Sequence, residues 1–318
     1  ISGQTAISFV PGPSIHTGLY ATFLEVKKRV PDDSALLTWW DYGYALTEVT
    51  DQATFHDGGA QTSPKTFFIA RSFISDNPDA LYNTISYLTA EGAGGIYRMI
   101  EENTPSEELF SNVLVTPPTL HHDNVFIVYT NDLIKKYRAI SLIGGWDVEK
   151  KRFGRGAGYD TLKCDRFEEH EIRCREGTID LKTGLATMGV AIKETVVIDG
   201  GYVKRRITYS NDHGSYLQIL TNGQTLVGAH IVGESVYRSN FNQMYLLGQY
   251  DSNLFDEYYN SFPWTRVFHA KTFPKSNTSS RAFRKEHLEK LRNTRRCENC
   301  DLRGVALEMA NLGGAGLS

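Results

Sequence analysis

The spacing of apolar residues changes near Trp146, and this change limits the folds that the chain can adopt. Before it, an apolar stretch at residues 34–40 predicts a strand. Leu81, Ile85 and Leu88 then recur at the spacing of a helix. After it, short segments rich in Val, Ile, Thr and Tyr are separated by Gly and Asn at intervals typical of hairpins. We therefore expect a mixed α/β, or α+β, core that carries an all-β insert.

Further elements of the core are predicted on both sides of the insert. The pattern predicts a buried strand at residues 124–129 and a short helix at 132–140. An earlier helix should be interrupted at residues 92–95, where three of four residues are glycine. Beyond the insert we expect helical structure over 242–259 and a last strand at 266–270.

These patterns divide the 318 residues into five parts. The parts are a mixed α/β core at 1–146, an all-β insert at 147–235, a return to the core at 236–270, a basic linker at 271–296 and the start of a repeat at 297–318.

The last two parts differ in composition from the core. Residues 275–296 contain eight basic and two acidic residues, a net charge of +6. This composition is typical of a basic helix near lipid head groups or of a solvated connector. Leu302, Leu307, Leu312 and Leu317 follow at intervals of five, which resembles the opening of a pentapeptide-repeat β-helix. Four such units form about one coil, and repeats need stacked neighbours to bury their inward faces.

Composition excludes some classes of function. The chain has 34 basic and 37 acidic residues, so its net charge of −3 gives no overall case for binding nucleic acid. No apolar run approaches the roughly 18 residues that suggest a membrane span. Cys164 with Cys174, and Cys297 with Cys300, form two close pairs that suit disulfides outside the cytoplasm or reduced thiols.

The pentad Trp39-Trp40-Asp41-Tyr42-Gly43 directly follows the first predicted strand. A buried indole needs a partner for its N–H group, and a carboxylate beside apolar rings needs hydrogen bonds. A purely structural interpretation makes the tryptophans packing residues and Asp-Tyr-Gly a turn. The functional interpretation makes the pentad a polar binding site.

This pentad resembles the WWDYG motif of oligosaccharyltransferase catalytic subunits, and three other stretches resemble the bacterial PglB branch. They are residues 28–32 (KRVPD), Asp57-Gly58-Gly59 and residues 247–256 (LGQYDSNLFD). The similarity spans about residues 28–270, and it implies the C-terminal periplasmic domain of such an enzyme, followed by the start of a pentapeptide repeat.

The resemblance implies that Trp39, Trp40 and Asp41 bind the hydroxyl group of the Ser or Thr in an Asn-X-Ser/Thr acceptor, with Tyr42, Gly43 and Asp57 supporting the site. A hydroxyl group offers one hydrogen and two lone pairs. Asp41 can accept the hydrogen, and the two indole N–H groups can donate.

The family also places a short helix beside the acceptor, with the pattern MxxI in bacteria and DxxK in archaea. Asp132 and Lys135 match the second pattern, and Ile134 offers apolar contact to a Thr methyl group. Ordinary charges on a helix surface are the alternative for this segment.

The resemblance further implies Mg or Mn held by carboxylates of an N-terminal transmembrane half that this sequence does not contain. That half would also bind a polyprenyl-diphosphate-linked oligosaccharide and anchor the domain at the periplasmic face of the bacterial inner membrane. We expect no catalytic or metal-binding residue in this chain, no resident cofactor and no transfer by the chain alone.

Two other classes of function remain open from the residues themselves. The first is a carbohydrate- or protein-binding module that uses the 17 Tyr and 4 Trp residues as stacking surfaces. The second is a glycosidase that uses Asp41 and Asp57 as its pair of carboxylates.

Overall fold

A computed structural model describes residues 15–118, 120, 122–223 and 225–272, together with the residue pairs 296–297 and 316–317. The predicted basic segment at 275–296, the repeat at 297–318 and any bridge between Cys297 and Cys300 lie outside the described residues, apart from two short strands, β15 (Arg296–Cys297) and β16 (Gly316–Leu317). Within the described residues, no helix has both the length and the apolar character needed to cross a membrane.

The first sheet has five strands in the order β13-β14-β3-β1-β2. Its strands are β1 (Ala35–Leu37), β2 (Ala53–Thr54), β3 (Val125–Thr130), β13 (Phe255–Ser261) and β14 (Thr265–Ala270). Strands β2, β1 and β3 run parallel, whereas β14 is antiparallel to β3. All six residues of β3 are buried, as expected for a strand that is covered on both faces.

Seven α-helices belong to the described part of the chain. They are α1 (Thr17–Arg29), α2 (Gly43–Thr50), α3 (Pro64–Ile74), α4 (Pro78–Glu101), α5 (Ser106–Leu114), α6 (Leu133–Gly144) and α7 (Glu234–Arg238).

The two faces of the first sheet are covered by different helices. On one face, Phe23 of α1 packs with Leu36 and Phe126 of the sheet. On the other, Leu37 and Ile127 pack into the main core with helices α3 and α6. Adjacent strand residues point to opposite faces, so each short strand contributes to both cores. The sheet is therefore a central layer between helices.

Helix α4 is bent at the predicted glycine cluster. Gly92 has φ 60° and ψ −168°, which is non-helical, and the helix continues beyond it to Glu101. Such a backbone conformation favours glycine because a Cβ atom would crowd the chain. The interruption predicted from the sequence is thus present as a kink at Gly92, with helical structure on both sides of it.

The second half of the chain builds two antiparallel or mixed sheets. The larger has the order β10-β9-β11-β12-β4 and the smaller the order β5-β6-β7-β8. The larger contains β4 (Asp160–Leu162), β9 (Ile192–Asp199), β10 (Tyr202–Thr208), β11 (Ser215–Asn222) and β12 (Thr225–Val232). The smaller contains β5 (Cys164–Phe167), β6 (Glu171–Cys174), β7 (Gly177–Asp180) and β8 (Leu185–Ala186).

A separate apolar core joins these two sheets, and a covalent bond pins the smaller one. Ile172 and Ile179 of the smaller sheet pack with Leu217 of the larger. Cys164 and Cys174 are opposite each other on β5 and β6 and form a disulfide. The mixed α+β class predicted from the sequence is confirmed.

The helical pattern expected over residues 242–259 holds only at its beginning. Asn242–Leu246 forms a short π-helical segment, whereas Phe255–Ser261 is a strand. The helix prediction for this strand was wrong because it pairs with β14, and such tertiary pairing overrides a weak local pattern.

A buried arginine connects the sheets. Arg266 of β14 is fully buried and forms an ion pair with Glu257 of β13. Its Nη1 atom also donates to the carbonyl oxygens of Gly201, at the β9–β10 turn, and Tyr245. The guanidinium group therefore links the first sheet, through β14, to the β9–β10 turn of the larger sheet.

Candidate functional site

The candidate site lies where the three parallel strands end. In such sheets the loops that follow the carboxyl ends of neighbouring strands meet at one edge, which is where ligands usually bind. Here the pentad follows β1, the Asp57-Gly58-Gly59 turn follows β2, and the start of α6 follows β3. Three segments that are distant in sequence thus converge on one edge.

The pentad combines a buried anchor with a more accessible turn. Trp39 is only 2% exposed and packs edge-to-face on His56, with ring centroids 5.2 Å apart. Trp40, Asp41 and Tyr42 form one turn of 3₁₀-helix and are half-buried. Asp41 keeps 24% of its side chain accessible to solvent. The carboxylate can therefore meet a ligand.

Close packing around the last residue of the pentad, Gly43, explains why this position is a glycine. A Cβ atom at this position would lie 2.2 Å from the His56 carbonyl oxygen and 2.6 Å from the Asp57 Cα atom. Such contacts are far below van der Waals distance, and both neighbours are backbone atoms. Asp57 in turn accepts a hydrogen bond of 2.9 Å from the Gly59 N–H group, which starts a short 3₁₀ turn. The two motifs are therefore in direct backbone contact.

His56, the residue on which Trp39 packs, is a neutral side chain. It is fully buried, and its Nε2 atom lies 2.8 Å from the Thr66 hydroxyl group of α3. Burial, followed by the nearby charge of Lys65, lowers the pKa of His56 to about 3. An uncharged imidazole can pack against the Trp39 ring without the cost of burying a charge.

Helix α6 contributes a charge cluster to the same edge. Lys136 Nζ lies 3.1 Å from Asp41 Oδ2 and 2.5 Å from Asp132 Oδ2. The same ammonium group lies 4.6 Å from the centre of the Tyr42 ring. Asp132 also accepts a hydrogen bond of 2.7 Å from the Thr130 hydroxyl group. Burial, and then the nearby Asp132, raises the pKa of Tyr42, so its phenol stays protonated.

The residues expected on this helix take different positions. Ile134 is partly buried and packs against the main core, as Trp40 does. Lys135 is exposed, and its neighbour Lys136 is the lysine that pairs with Asp41. Lys136 was missed from the sequence. Its four-residue spacing from Asp132 was only a partial signal, since residues i+3 and i+4 both lie beside residue i on a helix.

The arrangement provides donors and an acceptor that the protein leaves unused. Within the described part of the chain, neither Trp39 nor Trp40 donates its indole N–H group to a protein acceptor. The Asp41 carboxylate, by contrast, has only one oxygen in contact with Lys136. A small group that both donates and accepts hydrogen bonds, such as a hydroxyl, would use both kinds of partner.

The carboxylates here are poorly suited to a metal ion. Asp41 and Asp132 share the Lys136 ammonium group, and Asp57 caps a backbone turn. No group of three or more His, Cys, Asp or Glu side chains in the described residues is arranged to hold a metal. We therefore derive no step through a metal for these residues.

Comparison with known proteins points to one family. Residues 32–149 match the family described as the STT3/PglB/AglB core domain. The chain is also similar in fold to the C-terminal domain of PglB from C. jejuni. That crystal structure superposes with a TM-score of 0.58 and 19% identity, over 80% of this chain and 99% of the other.

Two curated relatives carry the name dolichyl-phosphooligosaccharide-protein glycotransferase. The protein from Methanococcus voltae is 24% identical over 111 residues, 35% of this chain and 11% of its own length. The protein from Methanocaldococcus jannaschii is 27% identical over 89 residues, 28% of this chain and 10% of its own length. The matched region thus covers about a tenth of each relative. Over residues 32–149 the chain is therefore similar to the STT3/PglB/AglB core domain, and the curated relatives that it resembles in part are named as glycotransferases.

Proposed function

We propose that this chain is the acceptor-recognition part of an oligosaccharyltransferase, which transfers a lipid-linked oligosaccharide to Asn in Asn-X-Ser/Thr sequences. The observation that carries the proposal is the Trp39-Trp40-Asp41 turn. It combines a partly exposed carboxylate with two indole N–H groups that have no acceptor within the described residues, all inside the region that matches the core domain of that family.

A Ser or Thr hydroxyl group fits this set of partners. Asp41 accepts its hydrogen, and the indole N–H groups of Trp39 and Trp40 donate to its lone pairs. An acceptor without the hydroxyl would leave these groups unpaired, at a cost of about 1 to 3 kcal/mol for each one that is buried. The site therefore selects for the hydroxyl residue of the acceptor.

The neighbouring helix supplies the rest of the acceptor surface. Ile134, which is partly buried against the main core, offers apolar contact to a Thr methyl group. Lys135 is exposed one residue further along and contacts the acceptor chain without reading its hydroxyl group. Tyr42, Gly43 and Asp57 shape the turn.

Transfer itself needs groups beyond this turn. The acceptor amide nitrogen is a poor nucleophile, and the diphosphate leaving group carries negative charge, so a Mg or Mn ion with its own carboxylates would assist both. We assign that ion and the polyprenyl-diphosphate donor to the part of the enzyme that the curated relatives have outside the matched region. The disulfide supports a location on the extracytoplasmic, periplasmic side of the membrane.

The test is binding of a short Asn-X-Thr peptide to the purified chain, measured by calorimetry. We expect Trp40→Phe, which removes only the indole N–H group, and Asp41→Asn to weaken binding about tenfold or more. Asp256→Asn is the matched control, because this exposed carboxylate belongs to β13 and pairs with Lys271. Unchanged binding by Asp41→Asn would contradict the proposal.

Two further outcomes would favour other functions. Hydrolysis of a glycan in the absence of peptide would indicate a glycosidase, although Asp41 and Asp57 are both engaged by other groups. Glycan transfer by the chain alone would show that it contains the whole catalytic machinery, which the proposal excludes.

A further inference from the structure

We infer that Lys136 is a positioning residue that holds Asp41 in the orientation needed to select a hydroxyl-bearing acceptor. The inference rests on the proposed function, in which Asp41 accepts the hydrogen of the Ser or Thr hydroxyl group. It assigns that selectivity to a lysine that lies outside the pentad, on a different strand–helix unit.

The position of Lys136 is determined by several contacts. Its ammonium group lies 2.5 Å from Oδ2 of Asp132, the N-cap residue of α6, four residues earlier. It also lies over the Tyr42 ring, 4.6 Å from the centroid, in a cation–π arrangement. Asp132 is itself held by the Thr130 hydroxyl group at 2.7 Å, and Thr130 is fully buried at the end of β3. Thr130 of the sheet thus holds Asp132, and Asp132 in turn holds the Lys136 ammonium group.

A fixed cation orients the carboxylate opposite it. Lys136 contacts Asp41 through Oδ2 at 3.1 Å, which leaves Oδ1 for a ligand. The pair is largely shielded, with 31% of the Lys136 side chain and 24% of the Asp41 side chain exposed. Without this partner, rotation of the Asp41 carboxylate would spread its oxygens over several directions. A hydroxyl group would then meet a less well-defined acceptor.

Lys135 cannot replace Lys136 in this role. The two lysines are adjacent on α6 and carry the same charge, but successive helical residues point about 100° apart. Lys135 is exposed, whereas Lys136 is half-buried against Asp41 and Tyr42. The two residues therefore make separable contributions, one to general contact with the acceptor and the other to its hydroxyl group.

The experiment compares two peptides that differ only in the hydroxyl group, Asn-X-Thr and Asn-X-Val, and reports the ratio of their Kd values. We expect the wild-type chain to prefer the Thr peptide by about tenfold. Lys136→Met should reduce this preference to about twofold, mainly by weakening binding of the Thr peptide. Lys136→Arg keeps the charge and should retain most of the preference.

Two control variants distinguish the positioning role of Lys136 from a general effect of removing a positive charge. Lys135→Met should change both Kd values by a similar factor and leave their ratio unchanged. Lys204→Met removes an exposed lysine from β10 and should change neither value. Circular dichroism checks the fold, and Lys136→Gln, for which the same fall in the ratio is expected, replaces Lys136→Met if the latter unfolds.

The outcomes distinguish the inference from the proposed function. If the wild type prefers the Thr peptide and the neutral Lys136 variants keep the full preference, the inference is wrong and the proposed function stands. It is also wrong if Lys135→Met removes the preference. A wild-type chain that binds both peptides equally would instead contradict the proposed function, and Lys136 would lose its role with it.

Discussion

Gly43 and His56 are in backbone contact, so close that a Cβ atom on Gly43 would lie 2.2 Å from the His56 carbonyl oxygen. This contact joins the turn after β1 to the turn after β2. It therefore determines how the Trp39-Trp40-Asp41 turn is presented at the edge of the sheet.

We expect Gly43→Ala to destabilise the chain by about 1 to 3 kcal/mol, because backbone atoms must move to admit the methyl group. Urea denaturation measures this loss. Gly228→Ala is the matched control, because a Cβ atom there would meet no heavy atom within 4 Å. Equal stability of the two variants would show that the close contact is not a constraint.

His56 should make stability depend on pH. Burial first, and then Lys65, lowers its pKa in the folded chain to about 3, against 6.5 for the free side chain. Between these values the unfolded chain binds a proton that the folded chain does not. The stability that the neutral His56 side chain contributes to the folded chain is therefore complete above pH 6.5. It is lost as the pH falls from 6.5 toward 3.

The expected slope from this histidine is about 1.4 kcal/mol per pH unit within that window. His230 should add to it, since burial lowers its pKa to about 4. Urea denaturation between pH 7 and pH 4.5 tests this, with His56→Gln compared at each pH. The variant should show a shallower slope, and an identical slope would rule out titration of His56 as the cause.

Arg266 should be among the most sensitive positions for stability. Its guanidinium group is fully buried, pairs with Glu257 and donates to the Gly201 and Tyr245 carbonyl oxygens. Arg266→Met leaves the carboxylate and two carbonyl groups without this donor, so we expect a loss of about 3 to 5 kcal/mol.

A second variant separates the charge from the packing. Arg266→Met combined with Glu257→Gln removes the uncompensated charge and should be more stable than Arg266→Met alone. Thermal unfolding of both proteins measures the difference. If the double variant is the less stable one, the ion pair is not the main source of the loss.

The Cys164–Cys174 disulfide should stabilise the smaller sheet. It closes a loop with a sequence separation of 10, for which loop-closure entropy predicts about 2 to 3 kcal/mol. Adding dithiothreitol should lower the free energy of unfolding by this amount. The Cys164→Ala/Cys174→Ala double variant should be insensitive to the reductant, and any response from it would point to a different target.

The sequence predicts elements well where one local pattern decides the structure. The strand Val125–Thr130 is continuously apolar because both of its faces are buried, and this pattern was recognised. The kink at Gly92 follows from a cluster of glycines. The pentad and the Asp57-Gly58-Gly59 stretch indicated a site through their resemblance to oligosaccharyltransferase motifs, since their residue types alone also fit packing and a turn.

Features that depend on distant residues were not accessible in the same way. The strand Phe255–Ser261 is set by its pairing with β14, and its own residues gave no clear strand signal. Spacing alone also does not distinguish Lys135 from Lys136 as the partner of Asp41, because residues three and four positions after Asp132 both lie on its side of the helix. The contact between Gly43 and His56 required the parallel pairing of β1 and β2.

The parallel pairing of β1 with β3 also affects when the site can form. This ladder joins Ala35 to Val125, so the chain must close a long loop before Asp41 and Lys136 can meet. Closing long loops before contacts form makes such pairings slow steps in folding. During synthesis, a polypeptide that ends before β3 would contain the whole pentad and lack the lysine beside it. The pairing of Lys136 with Asp41 can thus form only after this loop has closed.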